Sequence, residues 1–160
     1  MRSALLRFLV LSSVVFLAAA APKESENIPA PDFKAFDLDK IPVELSSFKG
    51  KQPVVLFFWT TWCPYCRKAV KQLNRDIDGL NKEGITVIPL NSGEPEAKVA
   101  KFVKDNGLNL RVFLDPDSQI SDTYHVYGIP LYYIVDKNGN LLSAHNSFPL
   151  EEARQLSGEK

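Results

Sequence analysis

Residues Phe57 to Val70 read FFWTTWCPYCRKAV, and this stretch decides the fold. It joins two patterns. Upstream, PVVLFFW over residues 53–59 is a continuous β-branched and aromatic run, as expected for a strand buried on both faces. Downstream, apolar residues recur at Val70, Leu73, Ile77 and Leu80, painting one helical face that Gly84 ends. The only two cysteines, Cys63 and Cys66, sit at the junction. Pro64 suits the first helical position, because its missing N–H would have lacked a partner there anyway.

That placement has chemical consequences. A thiolate at Cys63 faces the unpaired N–H groups of the first turn and the positive end of the helix dipole. Both favour charge, so its pKa is expected below the free value of about 8.5. Cys66 lies one turn on, deeper in the fold. The spacing therefore predicts one exposed sulfur that attacks a disulfide and one shielded sulfur that resolves the mixed intermediate.

Three other uses of the pair compete. A structural disulfide across so small a loop is worth only about 2 kcal/mol. A zinc site needs roughly four ligands, and the chain adds only His125 and His145, far apart in sequence. Two idle thiols would fit an exported chain poorly. The C-x-x-C pattern between strand and helix favours a redox dithiol. Trp59 reads as core. Trp62, Pro64 and Tyr65 read as surface beside Cys63, open to a substrate peptide.

Export is itself read from the sequence. Arg2 and Arg7 precede the apolar run FLVLSSVVFLAAAA, residues 8–21, and polarity returns with PKESEN. This is the pattern of a signal peptide, with Ala18 and Ala20 fitting a cleavage site after Ala20. A retained anchor is the alternative, although the run is shorter than the roughly 20 residues a spanning helix needs. We thus expect a signal over residues 1–21, a flexible tether over 22–31 and one folded domain over 32–157. The compartment expected is the bacterial periplasm or the extracytoplasmic face of the membrane, where disulfides persist.

Composition excludes some functions and names none. The 160 residues carry 19 basic and 19 acidic side chains, so no global field attracts nucleic acid. Removing Arg2 and Arg7 leaves 17 basic groups and a net charge of −2. Beyond the central stretch, DFKAFDL predicts an edge strand paired with IPVEL. ITVIPL, RVFL, LYYIV and LLSAH read as further strands. Ser92 or Glu94 is expected to open a helix ending at Gly107, DSQISDTYHVY makes a short helix, and PLEEARQL a terminal one. Lys137-Asn138-Gly139-Asn140 reads as a hairpin turn. The order β-β-β-α-β-α-β-α-β-β-α predicts an α/β fold, a central mixed sheet flanked by helices.

From Pro31 to Leu150 the chain resembles the thioredoxin superfamily, and within it the exported TlpA/ResA branch of thiol-disulfide oxidoreductases. The resemblance lies in PDFKAFDLDKIPVELSSFKGKQPVVLFFWTTWCPYC, in VIPLNSGEPEAKVAKFVKDNGLN and in FLDPDSQISDTYHVYGIPLYYIVDKNGNLL. It implies a thioredoxin-like fold with an extra N-terminal β-hairpin. It also implies a cis bond between Ile129 and Pro130, set against the cysteines, with backbone at Ile129 pairing an extended substrate. The family's frequent glutamate three residues after the second cysteine is Ala69 here, its buried aspartate is Phe57, and its threonine after the cis-proline is Leu131. No obvious acid is left to take the proton from Cys66.

The function these residues imply is reduction of protein disulfides outside the cytoplasm. Cytochrome c maturation is the implied setting, a membrane thiol reductant the implied donor, and no metal or organic cofactor is needed beyond the Cys63–Cys66 disulfide itself. The partners are protein thiols and disulfides, and the protein is expected to act as a monomer. Two alternatives stay open. One is an oxidase or isomerase of the same fold. The other is a Cu(I)-handling carrier using Cys63, Cys66 and one histidine, since soft thiolates suit copper.

Overall fold

A computed structural model describes residues 28–158. The expected signal over 1–21 and most of the tether lie outside the described residues. One sheet of eight strands organises the chain, in the order β1-β8-β7-β4-β5-β6-β2-β3. The strands are β1 (Ile28–Pro29), β2 (Lys34–Asp37), β3 (Pro42–Glu44), β4 (Val54–Trp59), β5 (Thr86–Ser92), β6 (Phe113–Asp115), β7 (Leu131–Val135) and β8 (Asn140–His145). The helices are α1 (Pro64–Lys82), α2 (Glu96–Asp105), α3 (Gln119–Thr123) and α4 (Leu150–Gly158). Pairing is parallel along β4–β5–β6 and antiparallel elsewhere, so the sheet is mixed.

β4 sits inside the sheet, and all six of its residues are buried. Alternation then sorts them. Val55, Phe57 and Trp59 face a core completed by Val70 and Leu73 of α1, Val99 of α2 and Ala153 of α4. Val54, Leu56 and Phe58 face a second core with Leu45, Tyr124 and Phe113, closed by Ile120 of α3. Helices therefore cover both faces. Full burial of such a side chain stabilises the fold by about 1.5–3 kcal/mol, which makes β4 the firmest platform available for the residues that follow it.

Several details differ from the sequence reading. Among the described residues the sheet already includes Ile28 and Pro29, inside the expected tether, which pair with Leu141 and Asn140. A two-residue strand has no periodicity to detect, and Pro29 fits only a margin of a sheet. The extra hairpin is present as β2–β3, but β2 is no edge: it pairs with β6 as well. Its register also turns Phe36 outward, 45% exposed, and Asp37 inward. The Ile41 N–H and Arg111 Nε hold the Asp37 carboxylate, each at 2.8 Å. Helix α2 starts at Glu96 after Pro95, while Ser92 stays in β5 and Glu94 turns into the protein. In the β7–β8 turn only Gly139 takes the left-handed conformation, at φ +85°.

Candidate active site

Cys63 caps α1. Its backbone is extended, at φ −78° and ψ 118°, and Pro64 is the first helical residue. The Cys63 Sγ accepts the Cys66 N–H at 3.2 Å, a first-turn amide that the helix itself leaves unpaired. Negative charge on that sulfur strengthens this bond. Both cysteines are free thiols.

The expectation of an exposed attacking sulfur needs correction. Cys63 is only 4% exposed and Cys66 is fully buried. A segment 66 residues downstream provides the cover: the Ile129 carbonyl lies 3.9 Å from the Cys63 Sγ, on its donor side. The Ile129–Pro130 peptide bond is cis, as the resemblance implied. Among the described residues the Ile129 amide has no backbone partner. The exposed groups are instead the neighbours, with Trp62 at 63% and Tyr65 at 73%. Pro64 is exposed too.

Burial drives the Cys66 thiol upward, and the hydrogen bond and charge of Cys63 add to it, against the Thr60 and Cys66 amides. The pKa is pushed up from 9.0 to about 12. Cys66 thus holds its proton at neutral pH while Cys63 sits in an amide-lined cap. The two sulfurs have different environments, which is what a two-step exchange requires.

The acid-free surroundings read from the sequence are filled by aromatic rings. Phe57 is fully buried and stacks on Tyr132, centroids 4.5 Å apart and planes within 8°. Burial first, and Cys66 second, push the Tyr132 phenol well above its usual value. Tyr132 was not singled out from the sequence, where LYYIV reads only as a strand. It also lines a groove of about 1100 Å³ between α1 and α4, alongside Tyr65, Ala69, Pro130 and Phe148. Tyr127, expected at the end of the helix DSQISDTYHVY, instead lies past α3, which stops at Thr123, and is 92% exposed. Its ring stacks on His125 in the loop before Pro130.

No group of three or more histidine, cysteine or carboxylate side chains that could hold a metal forms among the described residues. The copper reading therefore lacks its third ligand there. His145 is engaged elsewhere, its Nε2 2.8 Å from Glu152.

Comparison with known proteins agrees with the geometry. The model of the AhpC/TSA family matches residues 27–144. The thiol-disulfide oxidoreductase ResA of Bacillus subtilis (strain 168) is 34% identical over 134 residues, covering 82% of this chain and 74% of that one. The ResA of Geobacillus kaustophilus (strain HTA426) is 35% identical over 112 residues, 70% of this chain and 64% of its own. Among solved structures, one assigned as the thiol:disulfide interchange protein DsbE of Chlorobium tepidum superposes with a TM-score of 0.70 at 28% identity. It covers 83% of this chain and 96% of that one. With a strand-to-helix dithiol capped by its own first turn and faced by a cis-proline loop, the chain belongs to the AhpC/TSA family, as a thiol-disulfide oxidoreductase of the ResA type.

Proposed function

We propose that this enzyme reduces disulfides in exported proteins, working as a monomer on the extracytoplasmic side of the membrane. Cys63 attacks a substrate disulfide and Cys66 resolves the mixed disulfide. Pro130 and the Ile129 backbone hold the substrate chain extended, and Trp62, Pro64 and Tyr65 give it an apolar surface. One observation carries the reading: the Cys63 Sγ takes the Cys66 N–H at 3.2 Å, under the Ile129 carbonyl, while the Cys66 thiol stays protonated in the core. This difference supports giving Cys63 the attack and Cys66 the resolution.

The chemistry balances over two exchanges. In the first, the Cys63–substrate bond forms and the substrate disulfide breaks, releasing one substrate sulfur as a thiolate. In the second, Cys66 loses its proton and attacks Cys63, and the other substrate sulfur leaves. The substrate gains two electrons and the protein ends as the Cys63–Cys66 disulfide, which needs no metal or organic cofactor. A membrane thiol reductant restores the dithiol. By the ResA likeness, the substrates include the cysteine pairs of c-type cytochromes before haem attachment.

Trapping tests this directly. Cys66→Ala expressed in an exporting host is expected to accumulate proteins disulfide-linked to Cys63. Their absence overturns the substrate assignment. Direction is tested by the reduction potential, since 30 mV is worth about 1.4 kcal/mol for a two-electron couple. A value near −120 mV, that of a strong oxidant, overturns reduction in favour of the oxidase.

A further inference from the structure

Glu94 is a buried carboxylate with no part in the two-sulfur scheme. It is 3% exposed. Its Oε2 accepts the Thr61 N–H at 2.6 Å and the Asn91 side-chain amide at 2.9 Å. Its Oε1 accepts the Thr61 hydroxyl at 2.7 Å and pairs with Lys98 Nζ at 2.7 Å. These groups gather where β4 and β5 run out side by side, with Trp59 opposite Asn91. Burial opposes the charge, but Lys98, then Thr61, then Asn91 outweigh it and hold the carboxyl below its usual range.

A buried charge is costly to keep unless it is well bonded, so what it grips is informative. Thr61 is the second residue of the turn from β4 to Cys63. Two residues further on stands Cys63, whose Sγ takes the Cys66 N–H at 3.2 Å, so the same turn sets where the Cys63 sulfur lies against Cys66. The Thr60 backbone, in the same turn, is among the groups that oppose the rise of the Cys66 thiol pKa. Neighbouring polar atoms contribute little to fixing this turn. Thr60 Oγ1, Trp59 Nε1 and Asn91 Oδ1 are buried without a partner among the described residues.

We propose that Glu94 is a positioning residue of the dithiol: by gripping Thr61 at both amide and hydroxyl, it fixes the turn that holds Cys63 against Cys66, and so controls how fast Cys66 resolves the mixed disulfide. The inference rests on Cys66 being the resolving sulfur. It assigns Glu94 no contact with substrate and no proton.

The test is single-turnover reduction of a peptide disulfide by the reduced protein, quenched in acid, with mixed disulfide followed by mass spectrometry. Glu94→Ala removes the grip. Glu94→Gln keeps an acceptor for the Thr61 amide and a donor for the Thr61 hydroxyl, without charge. In Glu94→Ala the mixed disulfide is expected to form within about twofold of the native rate and to decay about fivefold more slowly, the effect of one hydrogen bond. Glu94→Gln is expected to restore decay to within about twofold. Native decay in Glu94→Ala overturns the inference. Decay in Glu94→Gln as slow as in Glu94→Ala also overturns it, because charge rather than grip would then set the rate. If Glu94→Ala does not fold, Thr61→Val takes its place; it drops only the hydroxyl contact, is expected to slow decay about twofold, and overturns the inference if decay stays native. Failure of the native protein to form any mixed disulfide overturns the proposed function along with it, whereas native turnover with indifferent variants overturns this inference alone.

Discussion

Replacing Cys63 by alanine leaves Cys66 as the single thiol and tests what raises its pKa. In the native protein Cys66 rises from 9.0 to about 12, with burial the largest cause and the Cys63 hydrogen bond and charge behind it. That step amounts to about 4 kcal/mol against the thiolate, at 1.36 kcal/mol per pH unit. At pH 7 it leaves roughly one Cys66 in 10⁵ ionised. Cys63→Ala deletes both contributions of the neighbouring sulfur and leaves the buried site, where the Thr60 amide still assists. Cys66 is therefore expected to titrate below about 12 and above 9.0. Thiolate absorbance near the ultraviolet edge, or the pH dependence of iodoacetamide labelling, measures this on a single remaining cysteine. Above neutrality the labelling rate is expected to climb about tenfold per pH unit, since only the thiolate reacts. Titration at or below 9.0 refutes the argument, because burial would then not govern the site.

Other consequences are as accessible. Trp62→Ala, at a 63% exposed position, is expected to leave stability within about 0.5 kcal/mol. It should slow reduction of a protein disulfide about fivefold and a small-molecule disulfide hardly at all, as loss of an interface anchor does; equal slowing of both argues against a docking surface. Phe57→Ala empties a fully buried ring site stacked on Tyr132. The expected loss is about 3–5 kcal/mol in urea unfolding, and a loss under about 1 kcal/mol counts against the packing. Arg111→Met removes one of the bonds that hold the Asp37 carboxyl below its usual value against its burial. A group with a lowered folded pKa stabilises the fold above its unfolded value near 3.8 and loses that stabilisation as pH falls through the folded value. The variant is expected to cost about 1.5–3 kcal/mol at neutral pH, with the difference vanishing in acid; a pH-independent difference refutes the ionic assignment.

How much of this was legible in the sequence follows from which interactions are local. The β4–α1 junction could be read because its signals lie within a few residues: an unbroken apolar run, a helix-starting proline and a cysteine at the cap. The cover over Cys63 could not, since it comes from Ile129, and only family likeness placed that residue near the sulfurs. The faces of Phe36 and Asp37 are set by pairing with β6, and a four-residue strand carries too little alternation to choose between registers. Local grounds offer Ser92 or Glu94 as the helix opener. Besides nearby Asn91 and Lys98, Glu94 binds the amide and hydroxyl of Thr61, 33 residues away, so a tertiary contact overrode the capping preference. The NSGEPE segment did hold one clue. Pro95 already suffices to begin α2, which left the glutamate before it free for other work.

Among the described residues both margins of the sheet are short, two residues in β1 and three in β3. Each also carries a proline, Pro29 and Pro42, which offers no N–H to a newcomer. Self-adhesion by strand addition is thereby discouraged at either flank. On the proposed function, an extended client then pairs at the Ile129 amide beside Cys63, which has no backbone partner among the described residues, and not along the described rim.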